Sequence, residues 1–130
     1  ITTELFDYQQ LKFKDGKVFY QHFEADKIIF CEGQQGRLNP WFGNLRFEVA
    51  KGEVLFVKIP GANFDKILKH KLFVVPLSND LYWIGSTYDW DTLDDQPTDE
   101  KKQFLIDKLE QVLTVPYEII DHLAAIRPST

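Results

Sequence analysis

The chain has 130 residues, of which 44% are hydrophobic and 15% aromatic, and its 15 basic and 20 acidic side chains give a net charge of −5. This composition predicts an ordinary hydrophobic core and argues against a disordered chain. The acidic balance argues against a nucleic-acid or anionic-membrane surface, which needs clustered Lys and Arg. No apolar stretch approaches the roughly 20 residues of a membrane-spanning helix. The single cysteine, Cys31, excludes a disulfide framework and fits a reducing cytoplasm.

In the first half of the chain the residue pattern favours β-strands. "LKFKDGKVFY" alternates apolar and polar residues on either side of Asp15-Gly16, which predicts a β-hairpin. The continuous apolar run "KIIFC" predicts a strand that is buried on both faces. "NLRFEVAKGEVLFVKIPG" predicts a long strand with a bend or bulge at Gly52.

The middle of the chain combines a helical and a β signal. "NFDKILKH" predicts a short helix with Asn63 as its N-cap. "KLFVVPLSNDLYWIGST" predicts two strands around a turn at residues 78–80. Pro76 has no N–H to donate to a neighbouring strand, so we expect it at a strand end or a sheet edge.

The last part of the chain contains the strongest helix signal. "PTDEKKQFLIDKLEQVL" predicts a long helix capped by Thr98, with an apolar stripe formed by Leu105, Leu109 and Val112. "YEIIDHLAAIR" predicts a strand that presents on one face Ile120, His122 and Ala124. The expected fold class is therefore α+β, with a mainly antiparallel β-sheet covered by one long and one short helix.

Most catalytic and ligand patterns are missing from the sequence. Cys31 lies inside an apolar run, where a thiol usually packs without reacting. The three histidines show no zinc-ligand spacing, and "YDWDTLDDQPTDE" lacks the glycine that a calcium loop needs at its sixth position, so we predict no metal site. "EGQQG" carries neither a GxGxxG nor a Walker A pattern.

Arg127 is the remaining candidate for a functional side chain. It ends an apolar strand pattern, so its guanidinium is expected to be half-buried and to need a compensating anion. That anion is either one of the chain's own carboxylates, in a structural ion pair, or the carboxylate of a ligand bound by both arms of the guanidinium. The residue spacing leaves both alternatives open.

Five segments occur together in one order and spacing: "ADKIIFCEG", "KGEVLFVKIPG", "KLFVVPLSNDLYWIGSTYDWD", "TDEKKQFLIDKLEQVL" and "HLAAIRPST". In combination they resemble the substrate-binding half of the D-amino-acid oxidase and glycine oxidase family of FAD-dependent oxidoreductases. The resemblance covers about residues 25–130. "IGSTYDWD" is also similar to the oxidase domain of a bacterial enzyme that modifies the tRNA wobble uridine.

The resemblance implies roles at the positions that match the family. Arg127 corresponds to the arginine that binds the substrate carboxylate, and Gly33 to a glycine beside FAD. Phe73 stands at a substrate-side position where glycine oxidases have tyrosine, and Glu32 stands where the family has a small residue next to the flavin. The end of the hairpin near the substrate cavity corresponds to Gly85, Ser86 and Thr87. The implied substrate-binding set is Arg127, Phe73 and Thr87, and the implied cofactor-binding set is Gly33 and Glu32.

We therefore expect residues 1–130 to form a single domain, the substrate-binding part of a larger FAD-dependent oxidoreductase that oxidises an amine or amino acid in the cytoplasm. Residues 25–33 resemble a strand of a nucleotide-binding domain whose remainder is missing here. Because the family's GxGxxG is also missing, the expectation is that this piece alone is inactive and does not retain FAD.

Two alternatives remain from the sequence. One is a non-enzymatic, β-rich ligand-binding or interaction domain with Arg127 in an ion pair. The other is a flavin-dependent tRNA-modification oxidase, although the acidic composition argues against strong contact with RNA. We also expect a small-molecule partner, and dimerisation through sheet edges is a further expectation.

Overall fold

The computed structural model describes residues 3–129, which divide into two compact units. One unit extends to Arg46 and the other begins at Phe47. The first unit contains 3-10 helices at Tyr8–Gln10 and Gly33–Leu38 and a small antiparallel sheet. The strands of that sheet are β1 (Leu11–Lys14), β2 (Lys17–Tyr20) and β3 (Phe23–Ala25).

The predicted hairpin of the first unit is confirmed. β1 and β2 pair antiparallel, with Lys14 opposite Lys17. The two residues between them, Asp15 and Gly16, have φ angles of +52° and +75°. Positive φ at both positions is typical of a type I′ turn, whose twist matches that of the flanking strands.

The predicted buried strand at "KIIFC" is wrong. Residues 27–31 form no strand, the Ile29 side chain is 84% exposed, and Cys31 is exposed rather than packed. Phe30 instead stacks on Trp41, with ring centroids 5.8 Å apart. A strand buried on both faces requires paired strands on both sides and layers above and below. The three short strands of this unit provide neither.

The second unit is built on a five-stranded antiparallel sheet. Its strands are β4 (Glu48–Lys58), β5 (Leu68–Lys69), β6 (Phe73–Pro76), β7 (Leu81–Gly85) and β8 (Glu118–Ser129). They lie side by side in the order β5-β6-β7-β4-β8. The long strand β4 therefore contacts both β7 and β8. The predicted hairpin at 78–80 is confirmed, and Pro76 is the last residue of β6, as expected.

One helix, α1 (Asp99–Glu110), packs on this sheet as predicted. Its N-cap is Thr98, whose side chain accepts a hydrogen bond from the backbone N–H of Lys101. Leu105 and Leu109 are fully buried in a core that includes residues of β4 and β7, namely Leu55, Val57, Tyr82 and Ile84. Within residues 3–129, no helix is long and apolar enough to cross a membrane.

The α+β class with mainly antiparallel sheets is confirmed, but the short helix predicted at "NFDKILKH" is wrong. Residues 63–67 are not helical, and Leu68 and Lys69 form β5. β5 pairs with β6, placing Lys69 opposite Phe73. Pairing with a preformed strand satisfies the backbone of this segment, whereas a helix this short is marginal by itself.

The bend or bulge predicted at Gly52 is wrong, because the irregularity of β4 lies farther along the strand. The pairing of β4 with β8 is continuous past Gly52 and shifts between Phe56 and Val57, so that Ile120 has no direct partner. Ile120 is 51% exposed, whereas His122 and Ala124 are half-buried. The predicted face of Ile120, His122 and Ala124 is thus wrong for Ile120, because an extra residue in a strand reverses the alternation beyond it.

Replacing Leu105 by alanine should lower the free energy of unfolding by about 2–5 kcal/mol, because it leaves a cavity in a fully buried part of the core. Gln103→Ala, at an exposed position of the same helix, should change it by less than about 0.5 kcal/mol. Urea denaturation followed by circular dichroism measures both. Equal effects of the two substitutions would contradict the placement of α1 on the sheet.

Candidate functional site

The strand register places Arg127 on the face of the second sheet that points away from α1. Arg127 in β8 lies opposite Ala50 in β4, and Val54 of β4 lies opposite Gly85 in β7. Directly paired residues share a face, and residues two apart along a strand share it too. Arg127, Gly52 and Gly85 therefore lie on the same face.

The guanidinium of Arg127 is held by a backbone carbonyl and an aromatic ring. Its Nη2 donates a hydrogen bond of 3.1 Å to the carbonyl of Thr87. Its Cζ lies 3.8 Å from the centroid of the Tyr88 ring, within the range of a cation–π interaction. A Cβ at Gly52 would lie only 3.1 Å from Nε, so the missing side chain leaves room for the guanidinium. Both contacts are made by neutral groups, so neither compensates the positive charge of the guanidinium.

The structural ion pair considered for Arg127 is not found among residues 3–129. No described Asp or Glu carboxylate lies within 4 Å of its guanidinium, although several other ion pairs are present in the second unit. The alternative that Arg127 serves one of these carboxylates is therefore wrong for the described part of the chain. A half-buried guanidinium with spare N–H groups is suited to binding an anion.

Arg127 lines a cavity of about 740 Å³ in the second unit. Phe73 and Thr87, the other predicted substrate-binding residues, line the same cavity, and so do Gly85 and Ser86. The Thr87 hydroxyl accepts a hydrogen bond of 2.9 Å from the backbone N–H of Glu53. Thr87 therefore acts on Arg127 through its carbonyl. The structure brings these predicted residues together, and their role in binding substrate stays a prediction.

Glu32 and Gly33, the predicted cofactor-binding residues, belong to the first unit. The Glu32 carboxylate accepts hydrogen bonds from the Tyr8 hydroxyl and, at 2.8 Å, from Asn39 Nδ2. The hydrogen bond to this carboxylate raises the pKa of Tyr8. Gly33 begins a 3-10 helix with a φ of +56°, a conformation that favours glycine. Both positions thus have a local structural explanation, and their flavin role stays a prediction.

On the opposite face of the sheet, Lys51 and Glu53 form a buried charged pair beneath the start of α1. Their side chains are each only 2% exposed, and Lys51 Nζ lies 3.7 Å from Glu53 Oε1. Lys51 also donates to Asp94 Oδ1 at 2.6 Å and to the carbonyl of Gln96. The Glu53 carboxylate accepts from both the backbone N–H and the hydroxyl of Thr98, at 2.9 and 3.0 Å.

His122 lies next to this group. Its Nε2 lies 2.9 Å from Glu53 Oε2, but without the alignment of a hydrogen bond. The His122 side chain is 12% exposed. No group of three or more His, Cys, Asp or Glu side chains in the described part of the chain is arranged to hold a metal ion.

The described residues do not fit the pyrophosphate of a flavin dinucleotide. Such a group binds at a helix N-terminus within a parallel βαβ unit, whereas every strand pairing described here is antiparallel. The N-terminus of α1 is already capped by Thr98 and flanked by Asp99, Glu100 and the buried Glu53. These carboxylates would repel a phosphate.

Sequence reasoning missed Tyr88, Gly52 and the Lys51–Glu53 pair as parts of this arrangement. A signal for the pair was available, since Lys51 and Glu53 share their strand parity with Leu55 and Val57 and should have been assigned to the covered face. The contact of Tyr88 and Gly52 with Arg127 had no comparable signal. It joins residues about 40 and 75 positions apart that meet only through the strand order.

No family model matches the chain. Among solved structures, the glycine oxidase from Geobacillus kaustophilus superposes with a TM-score of 0.66 at 20% sequence identity, over 93% of this chain and 35% of that chain. The glycine oxidase from Bacillus cereus ATCC 14579 superposes with a TM-score of 0.64 at 17% identity, over 92% of this chain and 36% of that one. The chain thus spans about a third of the length of these structures. At these identities the similarity shows a shared fold.

Asp94→Asn should weaken the dependence of stability on acidic pH. The hydrogen bond from Lys51, followed by that from the backbone of Gln96, lowers the pKa of Asp94. A lowered pKa stabilises the fold above the unfolded value of about 3.9, and this contribution is lost as the pH falls through the folded value. Urea denaturation between about pH 6 and 3 should therefore show a smaller loss of stability in the variant than in the wild type.

Asp95→Asn is the matched control for this experiment, since it removes the adjacent carboxylate, which has no lysine within 4 Å among the described residues. Its pH profile should run parallel to that of the wild type. If Asp94→Asn behaved in the same way, the Lys51–Asp94 contact would not form in solution.

Gly52→Ala should displace the Arg127 guanidinium while leaving the strand intact. The added Cβ would approach Nε within 3.1 Å, so the flexible side chain has to move by a few tenths of an ångström. The stacking of Arg127 on Tyr88 should weaken, and the NMR signal of the Arg127 Nε–H group should shift away from its ring-shielded position. An unchanged signal would contradict the close contact between Gly52 and Arg127.

Proposed function

We propose that this chain forms the substrate-binding part of an FAD-dependent oxidoreductase that oxidises an amine or amino acid, with Arg127 binding the substrate carboxylate. The observation that carries the proposal is the set of contacts made by the Arg127 guanidinium. Its guanidinium lines a large cavity and has two neutral contacts but no described carboxylate partner. A carboxylate ligand would supply the compensating charge.

Two further observations support the proposal. The residues that the family resemblance selected for the substrate side, Arg127, Phe73 and Thr87, line one cavity although they come from different segments. The fold is also that of two solved glycine oxidases, in a stretch covering about a third of their length. Neither observation depends on the charge argument for Arg127.

In this proposal the described residues bind and orient the substrate. Arg127 fixes the carboxylate, and its own position is fixed by the Thr87 carbonyl and by the Tyr88 ring. Phe73 provides an apolar wall where a tyrosine would provide a hydroxyl, so this wall cannot donate a hydrogen bond to the substrate. Precise orientation of a bound reactant accounts for a large share of enzymatic rate acceleration.

FAD, in this proposal, would supply the redox chemistry for oxidation at the carbon that carries the amine, with its pyrophosphate held by residues outside this chain. The described residues do not fit its pyrophosphate, and their part is to bind and orient the substrate. The division of labour is the usual one for cofactor enzymes, in which the protein supplies binding, orientation and electrostatics.

The test is an absorption spectrum and kinetics on protein expressed from the complete reading frame. A flavin spectrum should co-purify with it, and Arg127→Met should lower kcat/KM for an amino-acid substrate at least roughly 30-fold, a loss of about 2 kcal/mol. Arg127→Lys keeps the charge but loses the planar fork, so its loss should be intermediate and fall mainly on KM.

Arg46→Met removes an exposed arginine of the first unit and serves as the control, with kinetics close to wild type. A folded, colourless protein that also rejects added FAD would overturn the proposed function. If Arg127→Met lowered thermal stability without affecting catalysis, Arg127 would instead be a structural residue of a ligand-binding domain.

A further inference from the structure

The cavity next to Arg127 contains more positive charge than one substrate carboxylate requires. Lys69, Lys71 and Lys101 line it together with Arg127, and none of its lining residues is an aspartate or glutamate. This is unusual for a chain whose net charge is −5. Lys101 is paired with Glu100 at 3.0 Å, so its charge is already compensated.

Lys69 and Lys71 have neutral neighbours. The Lys69 ammonium lies 5.1 Å from the centroid of the Phe73 ring, and that of Lys71 donates to the side-chain amide of Gln111. Among the described residues, neither lysine lies within 4 Å of a carboxylate. Together with Arg127 they make three cations around one cavity that have no carboxylate partner in the described part of the chain.

The strand order separates Lys69 from the end of β7, next to which Arg127 makes its backbone contact, by the length of a small ligand. Lys69 lies opposite Phe73, which lies opposite Gly85, so two interstrand spacings, roughly 10 Å, separate β5 from β7. Arg127 donates to Thr87, two residues beyond Gly85. Between the two cationic ends the cavity is lined by the apolar side chains of Phe73 and Trp83.

We propose that the substrate carries a second anionic group, a carboxylate or a phosphate-type oxyanion, which Lys69 and Lys71 bind while Arg127 binds the first carboxylate. This inference rests on the proposed function, and it specifies the substrate class as an amine with two anionic ends joined by a short apolar segment. A volume of about 740 Å³ lies within the range of pockets for ligands much larger than glycine.

The proposal can be tested by calorimetric titration, at low ionic strength, of the protein expressed from the complete reading frame with three probes that contain no amine. Glutarate carries two carboxylates, 3-phosphonopropionate carries a carboxylate and a phosphonate, and butyrate carries a single carboxylate on a similar carbon chain. At least one of the two-headed probes should bind about tenfold more tightly than butyrate. The tighter of the two identifies the chemistry of the distal group.

Substitutions then locate the second anion site. Lys69→Gln and Lys71→Gln should each weaken binding of the tighter two-headed probe about three- to fivefold, as for a solvent-exposed ion pair, and leave butyrate unchanged. Lys66→Gln removes the same charge from a nearby residue that does not line the cavity, and it should leave all affinities unchanged. Arg127→Met should weaken the binding of all three probes.

Three outcomes would overturn the inference. Equal affinities of butyrate and both two-headed probes, with binding still dependent on Arg127, would remove the second anion site but leave the proposed function intact. If Lys66→Gln weakened binding of the two-headed probe as much as Lys69→Gln does, the tighter binding would come from the general surface charge and not from a specific second anion site. If none of the probes bound, the carboxylate site at Arg127 would fail as well, and with it both proposals.

Discussion

Glu53 joins the start of α1 to the segment that holds Arg127, and it does so from a fully buried position in β4. Its carboxylate accepts two hydrogen bonds from Thr98, the residue that caps the helix. Its backbone N–H donates to the Thr87 hydroxyl, and its carbonyl accepts from the Thr87 N–H at 3.1 Å. Thr87 is thereby fixed, and its own carbonyl fixes Arg127. Glu53 therefore stabilises both the packing of α1 and the position of the Arg127 side chain.

A buried carboxylate is tolerated only when it is paired and hydrogen-bonded, and the surroundings of Glu53 provide both. Lys51 supplies the opposite charge from two residues away on the same face, and Asp94 in turn holds Lys51. The hydrogen bond to Asp94 raises the pKa of Lys51, so the lysine stays charged. The charged side chains on this face therefore have partners of opposite charge within the same group.

The opposite face differs in this respect. Arg127 has a carbonyl and an aromatic ring as neighbours, and Lys69, which the register places on the same face, has an aromatic ring. Neutral contacts hold a cation in position but do not compensate its charge. The same sheet therefore carries on one face a charge pair that serves the fold, whereas Arg127 on the other face has no carboxylate partner among the described residues.

Some of this arrangement could be predicted from local sequence because the responsible interactions are local. Asp15-Gly16 suits a type I′ turn whatever surrounds it, and Thr98 with the leucine stripe defines a helix within a few turns of chain. "KIIFC" and "NFDKILKH" were interpreted wrongly because their conformation depends on the strands available to pair with them, which local pattern does not contain. The extra residue at Ile120 likewise follows from the register between two strands.

Arg127 could be recognised from sequence as a cation in need of an anion, but its partner could not. The choice between a structural ion pair and a ligand site depended on which groups the strand order brings within reach. These are the Thr87 carbonyl, the Tyr88 ring and the backbone of Gly52. Local patterns specify turns, caps and buried faces, because those free energies arise within a few residues. Tertiary structure alone decides which charges are compensated, because Coulomb attraction depends on distance in space and not on separation along the chain.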